Sequence, residues 1–139
     1  MTVGAHFGYD QSSNSEVLGL QLRGAVLRGG QVQLVPYANV TFLPGLREYQ
    51  YAIDAVWVSG GRSGGLYLGG GAGLRSSVFD VDASGERETR ATWAAVVGLL
   101  TGGGGGIGTQ VELRWVFLRD AEFDPRVVSL GVNLPIWSP

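Results

Sequence analysis

The chain has 139 residues, which is the length of one domain, and 24 of them are glycine. This glycine content argues against a helical domain, because glycine costs about 1 kcal/mol in a helix interior, and a hydrophobic fraction of 45% argues against disorder. A net charge of -2, ten arginines without lysine and no cysteine disfavour a nucleic-acid partner and exclude disulfides and thiolate metal sites. We expect one domain over residues 1–139 without a cofactor.

Apolar and polar residues alternate with a period of two along eight segments, which is typical of antiparallel strands. The pattern predicts four successive hairpins, formed by residues 3–9 with 17–28, 31–42 with 49–58, 66–78 with 90–101, and 107–118 with 127–137. The tips within hairpins, at 11–15, 43–47, 80–88 and 120–125, lie among most of the acidic residues. The turns between hairpins, at 29–30, 59–65 and 102–106, are rich in glycine. We call these two ends the tip end and the glycine-turn end.

Two prolines interrupt this pattern. Pro36 and Pro135 fall inside predicted strands, and each removes one donor from the hydrogen-bond ladder. We therefore expect a β-bulge near these positions.

The two faces of the predicted strands differ in chemistry. One face carries most of the large apolar side chains and all four tryptophans, and the other carries His6 and many amide and charged side chains. Eight strands can close into a soluble barrel with an apolar interior or a membrane barrel with an apolar exterior. The polar face carries fewer charges than a solvated surface, and the apolar face is too bulky for the interior of an eight-stranded barrel. Both observations favour an all-β, eight-stranded, antiparallel up-and-down transmembrane barrel.

Aromatic residues on the apolar face lie near both ends of the strands. Membrane barrels carry such belts at the two lipid-water interfaces. Near the tip end, the predicted belt consists of Tyr9, Phe42, Tyr49, Tyr51, Trp93, Trp115 and Phe117. Near the glycine-turn end, it consists of Trp57 and Trp137.

The eight segments together resemble the small outer-membrane barrels of Gram-negative bacteria, the class of the OmpA transmembrane domain and OmpX. The last segment also resembles the C-terminal assembly motif of these proteins, through Gly131, Leu134, Ile136 and Trp137. The resemblance implies a bacterial outer-membrane location, a lipid-bilayer environment and recognition by the barrel assembly machinery. Met1 is followed directly by Thr2, Val3 and Gly4, without the basic and apolar regions of a signal peptide, so we expect the mature form of an exported protein.

Four charged residues share the polar face at similar distances from the glycine-turn end. Arg23, Asp54, Glu112 and Arg114 are predicted to meet across the lumen, because an eight-stranded barrel is just wide enough for its interior side chains to fill it. Three further polar residues are expected to complete their hydrogen bonds, namely Gln21, Tyr37 and Asn39. The sequence therefore predicts a lumen closed by polar side chains.

Catalysis has few candidate residues in this chain. His6 is the only histidine, so Ser-His-acid catalysis would have to use it, with a serine such as Ser12 or Ser129. The acidic tips offer oxygen ligands for a divalent cation, although solvated loop charge is the simpler interpretation. We expect a non-enzymatic envelope barrel with a structural or surface-exposed role. The alternatives are a narrow small-solute pore, a lipid-modifying enzyme and a soluble small-ligand-binding barrel.

Overall fold

The computed structural model describes residues 1–12, 14–27, 29–43, 46–61, 64–79, 87–101, 107–118 and 126–136, without the side chains of residues 46, 79, 87, 88 and 118. The strands are β1 (Thr2–Asp10), β2 (Ser15–Ala25), β3 (Val32–Leu43), β4 (Leu46–Val58), β5 (Gly65–Phe79), β6 (Arg87–Thr101), β7 (Gly108–Leu118) and β8 (Arg126–Pro135). Each strand pairs antiparallel with the next, and β1 pairs with β8. The predicted closed eight-stranded barrel is confirmed. The described residues contain no helix that is long and apolar enough to cross a membrane.

Several strand ends differ from the prediction by two or three residues, and β6 for example begins at Arg87 rather than at residue 90. Strand β2 ends at Ala25 rather than at residue 28, and the chain then turns where the Gly30 N–H donates to the Leu27 carbonyl. Gly30 has φ 71°, a left-handed conformation that favours glycine. Strand β4 begins at Leu46, opposite Leu43, so the second hairpin is tighter than predicted. Strand β8 ends at Pro135, and Trp137 lies outside the described residues.

The expected β-bulge is absent from the described strands. The β1–β8 pairing runs in one register from Thr2 opposite Pro135 to Asp10 opposite Val127. On the β2–β3 side of Pro36, pairing is interrupted and then resumes in the same register. The bulge prediction is wrong because Pro36 removes a donor without inserting an extra residue, and the chain therefore keeps its alternation.

The two faces point as a membrane barrel requires. Large apolar side chains on the outside are widely exposed, including Leu20 at 64%, Leu130 at 63% and Trp93 at 66%. Polar side chains on the inside are buried, including Asp54 at 1% and Asn133 at 3%. This arrangement confirms the predicted faces. It excludes the soluble alternative with an apolar interior, since the apolar face would be left in water.

Glycines on the inner wall provide space for large side chains from neighbouring strands. A Cβ atom at Gly98 would lie 2.5 Å from Cζ of Tyr67, and one at Gly19 would lie 2.3 Å from Nε2 of His6. Such distances leave no room for a methyl group. The lumen is therefore filled by pairing a glycine on one strand with a bulky side chain on the next.

Apolar side chains also enter the lumen near the glycine-turn end. Six buried residues of β3 to β6 pack together there, and we call them the apolar layer: Val35, Val56, Val58, Tyr67, Val96 and Leu100. Val58 and Tyr67 have no exposed surface.

Candidate functional site

The lumen contains a buried group of charged side chains, here called the central cluster, formed by Asp54, Glu112, Arg114 and Tyr37. Nη2 of Arg114 lies 2.6 Å from Oδ2 of Asp54 and 2.8 Å from Oε1 of Glu112. Nη1 of Arg114 donates to the Tyr37 hydroxyl at 2.9 Å, and the guanidinium carbon lies 4.2 Å from the centre of the Tyr37 ring. One arginine thus holds two carboxylates and an aromatic ring together.

Strand order explains how these residues meet. Glu112 and Arg114 are two positions apart on β7, so both side chains point inward. Asp54 lies on β4, which is separated from β7 by two strands of the closed barrel. The Arg114 side chain therefore bridges β7 and β4 through the interior and fills the space between them.

Arg23 lies outside the central cluster, contrary to the prediction. Its Nη1 donates to Oε1 of Gln33 at 3.0 Å, and its guanidinium carbon lies 4.9 Å from the centre of the Tyr67 ring. The Tyr67 hydroxyl donates to Oε2 of Glu112 at 2.6 Å, so Arg23 is connected to the cluster through Tyr67. Strands of a barrel tilt, so residues at equal distances from their turns lie at different heights. The alternation of apolar and polar residues carries no information on this tilt.

Gln21 and Asn39 also belong to other groups. Gln21 donates from Nε2 to Gln110 at 2.8 Å and to Asn133 at 2.9 Å, and Asn133 donates to Gln110 at 3.0 Å. We call these three residues the amide triad. Asn39 contacts His6 instead, with 2.8 Å between Oδ1 of Asn39 and Nε2 of His6.

A further ion pair lies closer to the tip end. Arg75 contacts Glu48 through Nη2 and donates to it from Nε at 2.6 Å. Gln50 connects this pair to the central cluster, because it accepts from Arg75 at 3.2 Å and donates to the Tyr37 hydroxyl at 3.1 Å. The lumen network also includes Tyr67, Arg75 and Glu48, which the sequence analysis did not assign to it. Their positions in the alternation on β4 and β5 place these side chains inside the barrel, and this was the signal available in the sequence.

Among the described residues, no hydrogen bond links His6 to either candidate serine. Nδ1 of His6 is buried and has no hydrogen-bond partner among the described residues. The Ser12 hydroxyl donates to Asp10 at 2.6 Å, and Ser129 lies opposite Gly8 in the β1–β8 pairing. The described residues contain no group of three or more histidine and acidic side chains that could hold a metal ion. The acidic tips at 80–86 and 120–125 lie outside the described residues.

The predicted aromatic belt lies on the outside of the barrel wherever the structure describes it. Six of its side chains are exposed, namely Tyr9, Phe42, Tyr51, Trp57, Trp93 and Phe117. Tyr49 and Trp115 are half-buried on the same outer face. In the predicted assembly motif, Leu134 and Ile136 are exposed, and Gly131 faces the lumen against His6 and Gln110.

No protein-family model matches the chain, and no curated protein matches its sequence. Solved structures match its fold. The N-terminal barrel domain of Pseudomonas aeruginosa OprF superimposes with a TM-score of 0.71 at 15% identity, covering 95% of this chain and 93% of that one. Neisserial surface protein A gives 0.69 at 12% identity over 96% and 92%, and the outer membrane enzyme PagL gives 0.60 at 18% identity over 98% and 100%. The chain has the fold of the small eight-stranded outer-membrane barrels.

Proposed function

We propose that this protein is an integral barrel of the bacterial outer membrane with a closed lumen, and that it acts in the envelope without catalysing a reaction or passing solutes. The observation that carries the proposal is a filled lumen, in which Arg114 bridges the interior between Asp54 and Glu112 and the apolar layer lies between this bridge and the glycine-turn end. Its side chains are buried and occupy the path that a solute would take.

The rest of the interior supports the same proposal. The Arg75–Glu48 pair, the central cluster, the amide triad and the apolar layer occupy the lumen between the tip end and the glycine-turn end. Lumen side chains bond mainly to one another, and the inward Gly98 lies directly against the Tyr67 side chain. A water-filled pore would instead require polar groups that face open solvent.

The position of His6 favours a non-enzymatic role over a lipid-modifying one. Its side chain contacts Asn39, and its Nδ1 has no hydrogen-bond partner among the described residues, so neither a serine nor an acid is bonded to it there. PagL shares the fold and is an enzyme, so the fold itself supports both roles. The side-chain arrangement around His6 is what favours a structural or surface-exposed role in the envelope.

Planar-bilayer recording tests the closed lumen. The protein is refolded in detergent, checked for heat-modifiable migration on a gel and inserted into a bilayer. We expect no unitary currents from the unmodified protein. Steady, reproducible unitary currents would contradict the closed lumen and support the small-solute pore.

A further inference from the structure

Two different barriers lie in series within the lumen. The central cluster is charged, and the apolar layer lies closer to the glycine-turn end, where Val58 ends β4 and Tyr67 is near the start of β5. Either barrier could in principle stop ions and water. Given the proposed closed lumen, the chemistry of the two barriers decides which of them stops ions and water.

Charged groups are poor barriers to water. A carboxylate or guanidinium can exchange a protein partner for water, and bridging waters are nearly as favourable in enthalpy as direct hydrogen bonds. Asp54, Glu112 and Arg114 together offer many such positions. The central cluster can therefore rearrange around water molecules without breaking the barrel.

The apolar layer offers water almost nothing to bind. Five of its six residues are valine or leucine, and the hydroxyl of Tyr67 is already bonded to Glu112. A buried water needs two to four polar partners, and apolar constrictions in channels stop ions by excluding water.

Neighbouring residues also cover the apolar layer at Tyr67. The Tyr67 side chain lies against Gly98, and the Arg23 guanidinium lies over its ring. Arg23 comes from β2, three strands away from β5, so its side chain reaches across the interior to the layer. Nearby on the inner wall, the members of the amide triad bond to one another.

We propose that the apolar layer, with Arg23 stacked on Tyr67, is the seal that keeps ions and water from crossing the lumen, and that the central cluster is not required for this seal. This inference rests on the proposed closed lumen. It assigns the barrier to the glycine-turn end rather than to the ion pairs.

Two triple variants separate the barriers in planar bilayers. The first wets the layer with nearly isosteric hydroxyls (Val56→Thr, Val58→Thr and Val96→Thr), and the second neutralises the cluster (Asp54→Asn, Glu112→Gln and Arg114→Gln). The matched control makes the same valine change near the tip end, at the buried Val17, Val116 and Val127. Heat-modifiable migration shows whether each variant has folded.

We expect the layer variant to raise ion leak about tenfold or more over the unmodified protein, because hydroxyls let water enter the constriction. The neutralised cluster and the tip-end control should stay silent. A folded layer variant that is silent, or a neutralised cluster that conducts, would overturn the inference. Currents from the unmodified protein would refute the closed lumen itself, and with it this seal.

A thiol-labelling test decides the matter if the layer variant does not fold. The chain has no cysteine, so Val58→Cys and Ser59→Cys place single thiols at neighbouring positions, the first in the layer and the second on the exposed turn. A membrane-impermeant thiol reagent should label Ser59→Cys at least about tenfold faster than Val58→Cys, because the layer excludes water. Equal labelling rates would mean that water reaches the layer, which contradicts the seal.

Discussion

Tyr67 connects three parts of the lumen through one side chain. Its ring belongs to the apolar layer, its hydroxyl donates to Glu112 of the central cluster, and the Arg23 guanidinium lies over its ring. This position exists because the residue opposite Tyr67 on β6 is Gly98. A small residue on one strand thus determines where a large residue on the next can lie.

Replacing Gly98 by alanine tests this pairing. The new Cβ would lie 2.5 Å from the Tyr67 ring and 2.5 Å from the Val111 carbonyl oxygen. We expect Gly98→Ala to lower the free energy of unfolding by roughly 1–3 kcal/mol, the usual cost of overpacking. The matched control is Gly24→Ala, also on a strand, where a Cβ would meet nothing within 4 Å and the change should stay within about 0.5 kcal/mol. Urea titrations in lipid vesicles measure both, and equal effects would contradict the pairing.

Removing Glu112 tests the energetics of the central cluster. Glu112→Ala deletes one carboxylate partner of Arg114 and the acceptor of the Tyr67 hydroxyl. We expect a loss of roughly 3–5 kcal/mol, because an incompletely compensated charge would remain buried. Glu16→Ala, at an exposed outer position near the tip end, should change stability far less. Similar unfolding midpoints for the two variants would show that the cluster contributes little.

The sequence could predict which side chains enter the lumen but not all of their partners. Alternation placed Asp54, Glu112 and Arg114 on one face, and the structure brings them together. The same reasoning assigned Gln21 and Asn39 to this group. In the structure, Gln21 bonds within the amide triad and Asn39 bonds to His6. Partners depend on the relative heights of the strands, and these heights follow from tilt and register, which period-two alternation does not contain.

At the scale of the strands, element type could be predicted and element ends could not. All eight strands appear in the predicted order, since each has a clear alternation. The end of β2 was placed three residues too late because Val26 and Leu27 continue the apolar pattern into the turn. Pro36 was expected to shift the register, but the β3–β4 pairing runs continuously past it.

A charged substitution on the outer face tests which side of β7 meets lipid. Leu113 is an outward residue in the middle of β7, opposite Val97 on β6 and Val128 on β8. We expect Leu113→Arg to cost roughly 2–4 kcal/mol near the bilayer midplane, because hydrocarbon does not solvate a guanidinium. Glu16→Arg, on the outer face near the tip end, serves as the control and should be tolerated. Unfolding in lipid vesicles measures both, and an unchanged midpoint for Leu113→Arg would place this position outside the hydrocarbon core.

The whole molecule has two chemically different ends. Met1 and Ile136 lie together at the glycine-turn end, where the Ile136 N–H donates to the Met1 carbonyl at 3.0 Å. The two longest connections, of seven residues each, follow β5 and β7 at the tip end, whereas each glycine turn has six residues and the first two tips have four and two. Outer-membrane barrels carry their longest loops on the extracellular side. This asymmetry predicts one orientation in the outer membrane, with the tip end facing the cell exterior.

Proteolysis of intact cells tests that orientation, because arginines occur at both ends of the barrel. Trypsin added outside should cut at Arg119, between β7 and β8 at the tip end, and should spare Arg62 in the glycine turn. Arg87 and Arg90 lie in β6 and are protected by their pairing with β5. Cleavage at Arg62 should appear only after the outer membrane is permeabilised, since that turn is expected to face the periplasm. Mass spectrometry of the fragments distinguishes the sites. Cutting confined to Arg62 in intact cells would reverse the assignment and place the acidic tips in the periplasm.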